Sequence, residues 1–161
     1  GVAMQGEILG GTSDISAGQL IDRTGVLLGL QFPAGKSLDA LSAQAQKVKP
    51  FPVKVQECTF SLSGMENKVQ QMVQKGESPE TVARFALETV ARAVVKATRQ
   101  ALERFPGLPV LCSGGVASNS LLRQVMEKEC GAIFAQPRFS TDNAMGTAIL
   151  TWRALERERV L

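Results

Sequence analysis

The chain has 161 residues, is 44% hydrophobic, and carries 18 Lys+Arg against 15 Asp+Glu, a formal net charge of +3. That composition suits one globular domain with a real core, and the small positive excess neither argues for a nucleic-acid partner nor opposes an RNA. The sequence contains no histidine, so Ser-His-Asp triads, Cys-His pairs, zincin helices and carboxylate–histidine metal triads cannot be built within it.

No apolar run is long enough to span a membrane, and no signal-peptide pattern stands at the amino end. The three cysteines, Cys58, Cys112 and Cys130, are an odd number without a CxxC pair. They read as buried reduced thiols of a cytoplasmic protein rather than as a metal site or a disulfide framework.

In chain order, Val2 to Leu9 predicts a strand ending at Gly10-Gly11, and Thr12-Ser13-Asp14 offers a helix cap. A helix follows from Ile15 to Leu28, carries Leu20, Ile21, Leu27 and Leu28, and ends near Gly29. Gly18 and Gly25 inside it cost about 1 kcal/mol each relative to Ala. They stand seven residues apart, so they share a face that a neighbouring element or a ligand can approach; close helix packing is the simpler reading for Gly25. Asp22 lies between them and by itself reads as part of the solvated face.

Phe32-Pro33-Ala34-Gly35 is a turn, Ser37 to Ala45 a short helix and Lys47 to Pro52 a connection. Alternation over Val53–Ser61 predicts a strand, and Ser61-Leu62-Ser63-Gly64 turns into a helix over Met65–Gln74. Gly76 breaks that helix. Ser78-Pro79-Glu80 supplies a cap, a first-turn proline and an acid at the positive end of the next helix dipole. That helix runs to Arg104, about 40 Å at 1.5 Å per residue. Its alanines suggest close packing against something flat, such as a sheet.

Val110-Leu111-Cys112 predicts a short buried strand, and Ser113-Gly114-Gly115 a tight turn into the helix Ser120–Glu129. Strand, glycine pair and helix start together place bare N–H groups where an anion could sit. The turn has neither the Lys-Ser/Thr of a Walker loop nor the third glycine of a dinucleotide fingerprint, so a structural β–α turn explains it about as well as a ligand. Gly131–Ala135 is a further strand, and Ser140-Thr141-Asp142-Asn143 caps a last helix, Ala144–Arg157. Strands alternating with helices argue for α/β layers.

Four ordered stretches then match one family: Glu7–Gly18, Phe60–Gly64, Gly114–Arg123 and Ser140–Met145. Together they resemble the TsaD family, formerly called the glycoprotease or O-sialoglycoprotein endopeptidase family, over almost the whole chain but only as its carboxyl-terminal half. The resemblance implies an α/β fold: one actin-like, ribonuclease-H-like lobe of the ASKHA superfamily, with a short mixed sheet packed against helices. Residues 1–161 would be that lobe, with the amino-terminal lobe absent. Members transfer threonylcarbamoyl from an adenylate to adenosine 37 of ANN-reading tRNAs.

Carried over by position, the resemblance gives Asn119 to the nucleotide, Gly114 and Gly115 to a loop lying against the adenylate, and Asp22 to the ribose hydroxyls. Gly35 would border the same ribose through its backbone. Asp142 would be a metal ligand, with a helix cap as its other reading. The cofactors implied are an adenine nucleotide or threonylcarbamoyl-adenylate and, in the complete two-lobe protein only, a divalent iron or zinc ion. The partners implied are the missing lobe, a second copy or a TsaB-like protein, and tRNA for the complete enzyme, with no membrane.

Two departures stand out. Ser13-Asp14-Ile15-Ser16-Ala17-Gly18 replaces the family's Asp-Asp-Ala-Ala-Gly, and Ser63-Gly64-Met65-Glu66-Asn67 its Ser-Gly-Leu-Lys-Thr. They mark a divergent paralogue. The family's His-x-x-x-His ligands are missing, so the isolated chain is expected to be inactive. A non-catalytic dimerisation or interaction module of the same fold is the alternative, through a sheet edge exposed near Val2–Leu9. The peptidase name finds no nucleophile–base pair to support it.

Overall fold

A long central helix organises the molecule, and the other elements pack around it. The computed structural model describes residues 6–136, 140 and 144–158. Among the described residues are six α-helices: α1 Ala17–Leu27, α2 Gly35–Ser42, α3 Ser63–Gln74, α4 Pro79–Arg104, α5 Ser120–Cys130 and α6 Ala144–Glu158. The strands are β1 Val55–Gln56, β2 Thr59–Phe60, β3 Leu111–Cys112 and β4 Ile133–Phe134, and a 3-10 turn covers Val116–Ser118.

The reason α4 is central lies in its sequence. Val82, Phe85, Ala86, Val90 and Ala93 pack with Leu20 of α1, Met65 and Val69 of α3, and Val53, Phe60 and Leu62 of the hairpin region. Ala83, Leu87, Ala91 and Val95 point the other way, into Leu38 of α2 and Leu121, Leu122, Val125 and Met126 of α5. Its alanines therefore admit helices on both sides, where the sequence suggested a flat sheet. Apolar residues on two faces, not one, bury the middle of α4. Ser78 caps α4 by accepting from the Thr81 N–H, as its position predicts.

One carboxylate on this helix is buried. The Glu88 carboxylate, 2% exposed, takes Arg84 at 3.3 Å and Arg92 at 3.3 Å. Arg92 and Arg99 both also reach Glu129 of α5. The pairing offsets the desolvation of Glu88 and fixes the register of α4 on α5.

The strands are less than the alternation suggests. The stretch read as one strand, Val53–Ser61, is a hairpin of two-residue arms, Val55↔Phe60 and Gln56↔Thr59. Glu57 and Cys58 turn it with φ of 49° and 58°, a two-residue turn that non-glycine residues adopt at a cost. β3 and β4 pair parallel, Leu111↔Ile133 and Cys112↔Phe134, as a separate two-stranded piece. The described part of the amino-terminal segment, residues 6–11, forms no strand; it is joined to the hairpin by a bridge from Thr12 to Phe60.

The cap of α1 also differs from expectation. Ser16, not Thr12-Ser13-Asp14, accepts the Gln19 N–H, and the Gln19 side chain returns the bond to the Ser16 N–H. All three cysteines are free; Cys58 is buried, Cys112 and Cys130 half-buried. Burial pushes both half-buried thiols above their ordinary value. Among the described residues no helix is long and apolar enough to cross a membrane.

Candidate functional site

Hydrogen bonds draw the four sequence motifs together in pairs. The Asp14 carboxylate accepts from Ser61 Oγ at 2.5 Å, from the Leu62 N–H at 2.9 Å and from the Ser63 N–H at 3.2 Å. It thereby holds the first turn of α3. Desolvation pushes the Asp14 carboxyl up, but these bonds from Ser61, Leu62 and Ser63 outweigh it and leave the group well below the usual carboxylate range. In the second pair, the Gly114 N–H donates to Ser140 Oγ at 3.1 Å, and the Ser140 hydroxyl donates to the Gly114 carbonyl at 3.2 Å. Gly114 stands at φ +101°, which excludes residues with a Cβ from that turn.

The two pairs meet at α1. A Cβ on Gly18 would lie 3.6 Å from Val116 Cγ2, so the start of α1 rests on the glycine loop. On the same face a Cβ on Gly25 would come within 2.2 Å of Ala34 Cβ. The seven-residue spacing thus serves close approach at both ends. Asp22, between them and half-buried, accepts the Ala34 N–H on Oδ1 at 2.8 Å. That bond places the ribose-candidate carboxylate beside Gly35, the first residue of α2.

One turn further along α2, about 6 Å of axial rise, lies a residue the sequence reading missed. Asp39 accepts the Ser120 N–H at 2.9 Å and the Ser120 hydroxyl at 2.9 Å. It binds α2 to the N-terminus of α5. Next to it Asn119 caps α5, its Oδ1 taking the Leu122 N–H at 2.9 Å. In the sequence Asp39 looks like the wet face of a short helix; only the partner 81 residues away reveals it.

Asp22, Gly35, Asp39, Ser120 and Asn119 therefore form a connected path from α1 across α2 to the glycine loop. The N-terminus of α5 is partly filled already, since Asp39 and Asn119 hold two of its N–H groups. The N–H groups of Gly115, Val116 and Ala117 are not spent on backbone acceptors among the described residues. They, and the amide NH2 of Asn119 that its cap leaves over, are the donors available to an anion.

Asp22 also borders an open depression of about 440 Å³ with Gln19, Thr24, Phe32 and Glu66. No residue of Gly114–Asn119 lines it, so this depression is not the space over the glycine loop. The remaining candidate, Asp142, lies outside the described residues. Among the described residues no group of three His, Cys, Asp or Glu could hold a metal ion. The residues described do not assemble a metal site.

Known proteins resemble the chain in the same sense. Residues 2–149 match the family model TsaD, tRNA N6-adenosine threonylcarbamoyltransferase. A protein of that name from Thermus thermophilus is 32% identical over 158 residues, 93% of this chain and 48% of its own length. One from Staphylococcus carnosus is 32% identical over 86% of this chain and 44% of its own length, and one from Enterococcus faecalis 36% identical over 74% and 37%. The chain thus spans about half the length of the curated relatives it matches. A solved structure of HypF from T. kodakarensis superposes with a TM-score of 0.67 at 24% identity, over 80% of this chain and 18% of that one. That likeness shows the fold, an α/β lobe of the actin-like, ribonuclease-H-like kind. With the family model matching residues 2–149, nearly the whole sequence, the chain belongs to the TsaD family.

Proposed function

We propose that this chain is the nucleotide-binding lobe of a two-lobe TsaD-like protein. Its work would be to hold an adenine nucleotide, or threonylcarbamoyl-adenylate, for transfer to adenosine 37 of a tRNA. The observation that carries the reading is the path from Asp22 through Ala34 and Asp39 to Ser120, which couples a carboxylate suited to ribose hydroxyls to a loop suited to phosphate. In this reading Asp22 Oδ2 accepts a ribose hydroxyl while Oδ1 stays on the Ala34 N–H. The Gly35 backbone borders the sugar. Gly114 is set by Ser140, and the N–H groups of Gly115–Ala117 with the Asn119 amide meet the phosphate.

Such a lobe supplies binding and orientation, not a nucleophile. Resemblance gives Asp142 to an iron or zinc ion, but the described residues give that ion no other ligand, and no step is drawn through it. The isolated chain would not transfer threonylcarbamoyl to tRNA.

The test is a thermal-shift titration with AMP. Wild-type chain should be stabilised in a concentration-dependent way, and Asp22→Ala and Asn119→Ala should each lose most of the shift. No shift in the wild type would refute the reading, as would turnover by the isolated chain for its catalytic part.

A second reading rests on one observation. Leu111 and Ile133, paired across β3 and β4, are 74% and 58% exposed. A bare apolar strand pair is a docking surface, and a dimer that forms with concentration and ignores AMP would favour an interaction module instead.

A further inference from the structure

The small charge excess of the chain is not spread evenly. From Ala40 to Gln56 there is no acidic residue, and Lys47, Lys49 and Lys54 fall within this stretch. The segment is an extended strap pinned along α4. The Phe51 N–H donates to Thr89 Oγ1 at 2.9 Å, Lys96 Nζ donates to the Val53 carbonyl at 3.3 Å, and Gln100 donates to the Val55 carbonyl at 3.2 Å. Gln100 also accepts the Cys58 N–H at 2.9 Å. Positions 89, 96 and 100 follow one face of the helix, so strap and helix run side by side for three turns. Pro50 and Pro52 stiffen the strap between these anchors.

The consequence is a line of exposed ammonium groups at Lys47, Lys49, Lys54 and Lys96. Arg92 and Arg99 lie on α4 beside them but are paired with Glu129, and Arg92 also with Glu88. They add no free charge. Glu57 and Glu103 stand near Lys54 at the far end of the strap and bound the line there. A run of exposed lysines along a pinned strap, free of acids along most of its length, complements a polyanion rather than a single anion.

We propose that the strap Lys47–Lys54 with Lys96 is an RNA-backbone contact surface, reading phosphate spacing and not sequence. The inference rests on the proposed function in one respect: that reading supplies RNA as the acceptor. The nucleotide site plays no part in the contact itself.

Fluorescence anisotropy of the full chain with an unmodified tRNA transcript tests it. Affinity should fall with salt with a log–log slope of roughly −3 to −4, the counterions of four phosphate contacts. The variant Lys47→Glu/Lys49→Glu/Lys54→Glu should bind at least tenfold more weakly, and each single Lys→Ala should lower the slope by about one. Lys75→Ala, an exposed cation at the end of α3, should change nothing. Retained circular dichroism and AMP binding in the triple variant separate loss of the surface from loss of the fold. Binding by the triple variant within twofold of wild type overturns the inference. So does an equal loss in Lys75→Ala, or binding to phosphatidylserine vesicles without binding to the transcript. Wild-type chain that binds tRNA through the strap but not AMP would sink the nucleotide reading and leave this one standing.

Discussion

The helices and the strands of this chain follow different rules. Each helix satisfies its own backbone, so α3, α4 and α5 form close to where their three- and four-residue periodicity and caps place them. A strand is satisfied only by a neighbour. Among the described residues every strand is two residues long, the two sheets are separate pieces, and residues 6–11 form none. The stability of the molecule accordingly resides in the two cores flanking α4. The strands position loops, and the glycine loop follows one of them.

That contrast can be broken most sharply in the core. Leu87→Ala, at a position 2% exposed, should cost about 2–5 kcal/mol by leaving a cavity, read as a shift in urea midpoint. Gly25→Ala should cost roughly 1–3 kcal/mol, the range of overpacked sites, because the new methyl would meet Ala34 Cβ at 2.2 Å. Thermal unfolding would show it, and a neutral result would mean that α1 and the Ala34 turn are looser than the geometry implies.

Two polar tethers come next. Asp39→Ala should cost about 1–2 kcal/mol, the value of a lost helix cap, and should also weaken AMP binding by freeing α5 from α2. Asp14→Ala should cost about 1 kcal/mol near neutral pH, with a pH signature. The folded carboxyl titrates below its unfolded value. Its contribution is therefore complete above about pH 4, the unfolded carboxylate value, and is lost as pH falls further, towards the folded one. Melting temperatures measured from pH 6 to pH 2 should fall less steeply in Asp14→Ala than in wild type; parallel curves would show that the tether carries no linkage. At the bottom of the scale, Ile133→Ala should stay within about 0.5 kcal/mol, since its side chain is 58% exposed.

The same contrast explains what could be read from the residues alone. Ser78 as a cap, the apolar stripe of α5 and the shared face of Gly18 and Gly25 are local patterns, and each stands in the structure. Asn119 was singled out by its match to the family motif; its capping of α5 is local geometry too. The hairpin was hidden because Glu57 and Cys58 take positive φ without glycine to announce it. The apolar residues of α4 suggested a flat neighbour, because periodicity reports burial but not what does the burying. Asp14 and Asp39 were hidden for a third reason. Their partners lie 47 and 81 residues away, and a carboxylate's long-range hydrogen bonds leave no spacing to detect. Asp22 and Gly35 entered through family resemblance, and nothing in their own neighbourhood marked them.

The central claim is that α1, the start of α2 and the glycine loop hold one ligand together. Titrating AMP into the 15N-labelled chain tests it most directly. The account predicts that the amide signals of Gly35, Gly115, Val116 and Asn119 shift together along a single saturation curve and stop shifting in Asp22→Ala. Shifts confined to Gln19, Thr24 and Glu66 around the open depression, or a glycine loop that responds unchanged in Asp22→Ala, would contradict it.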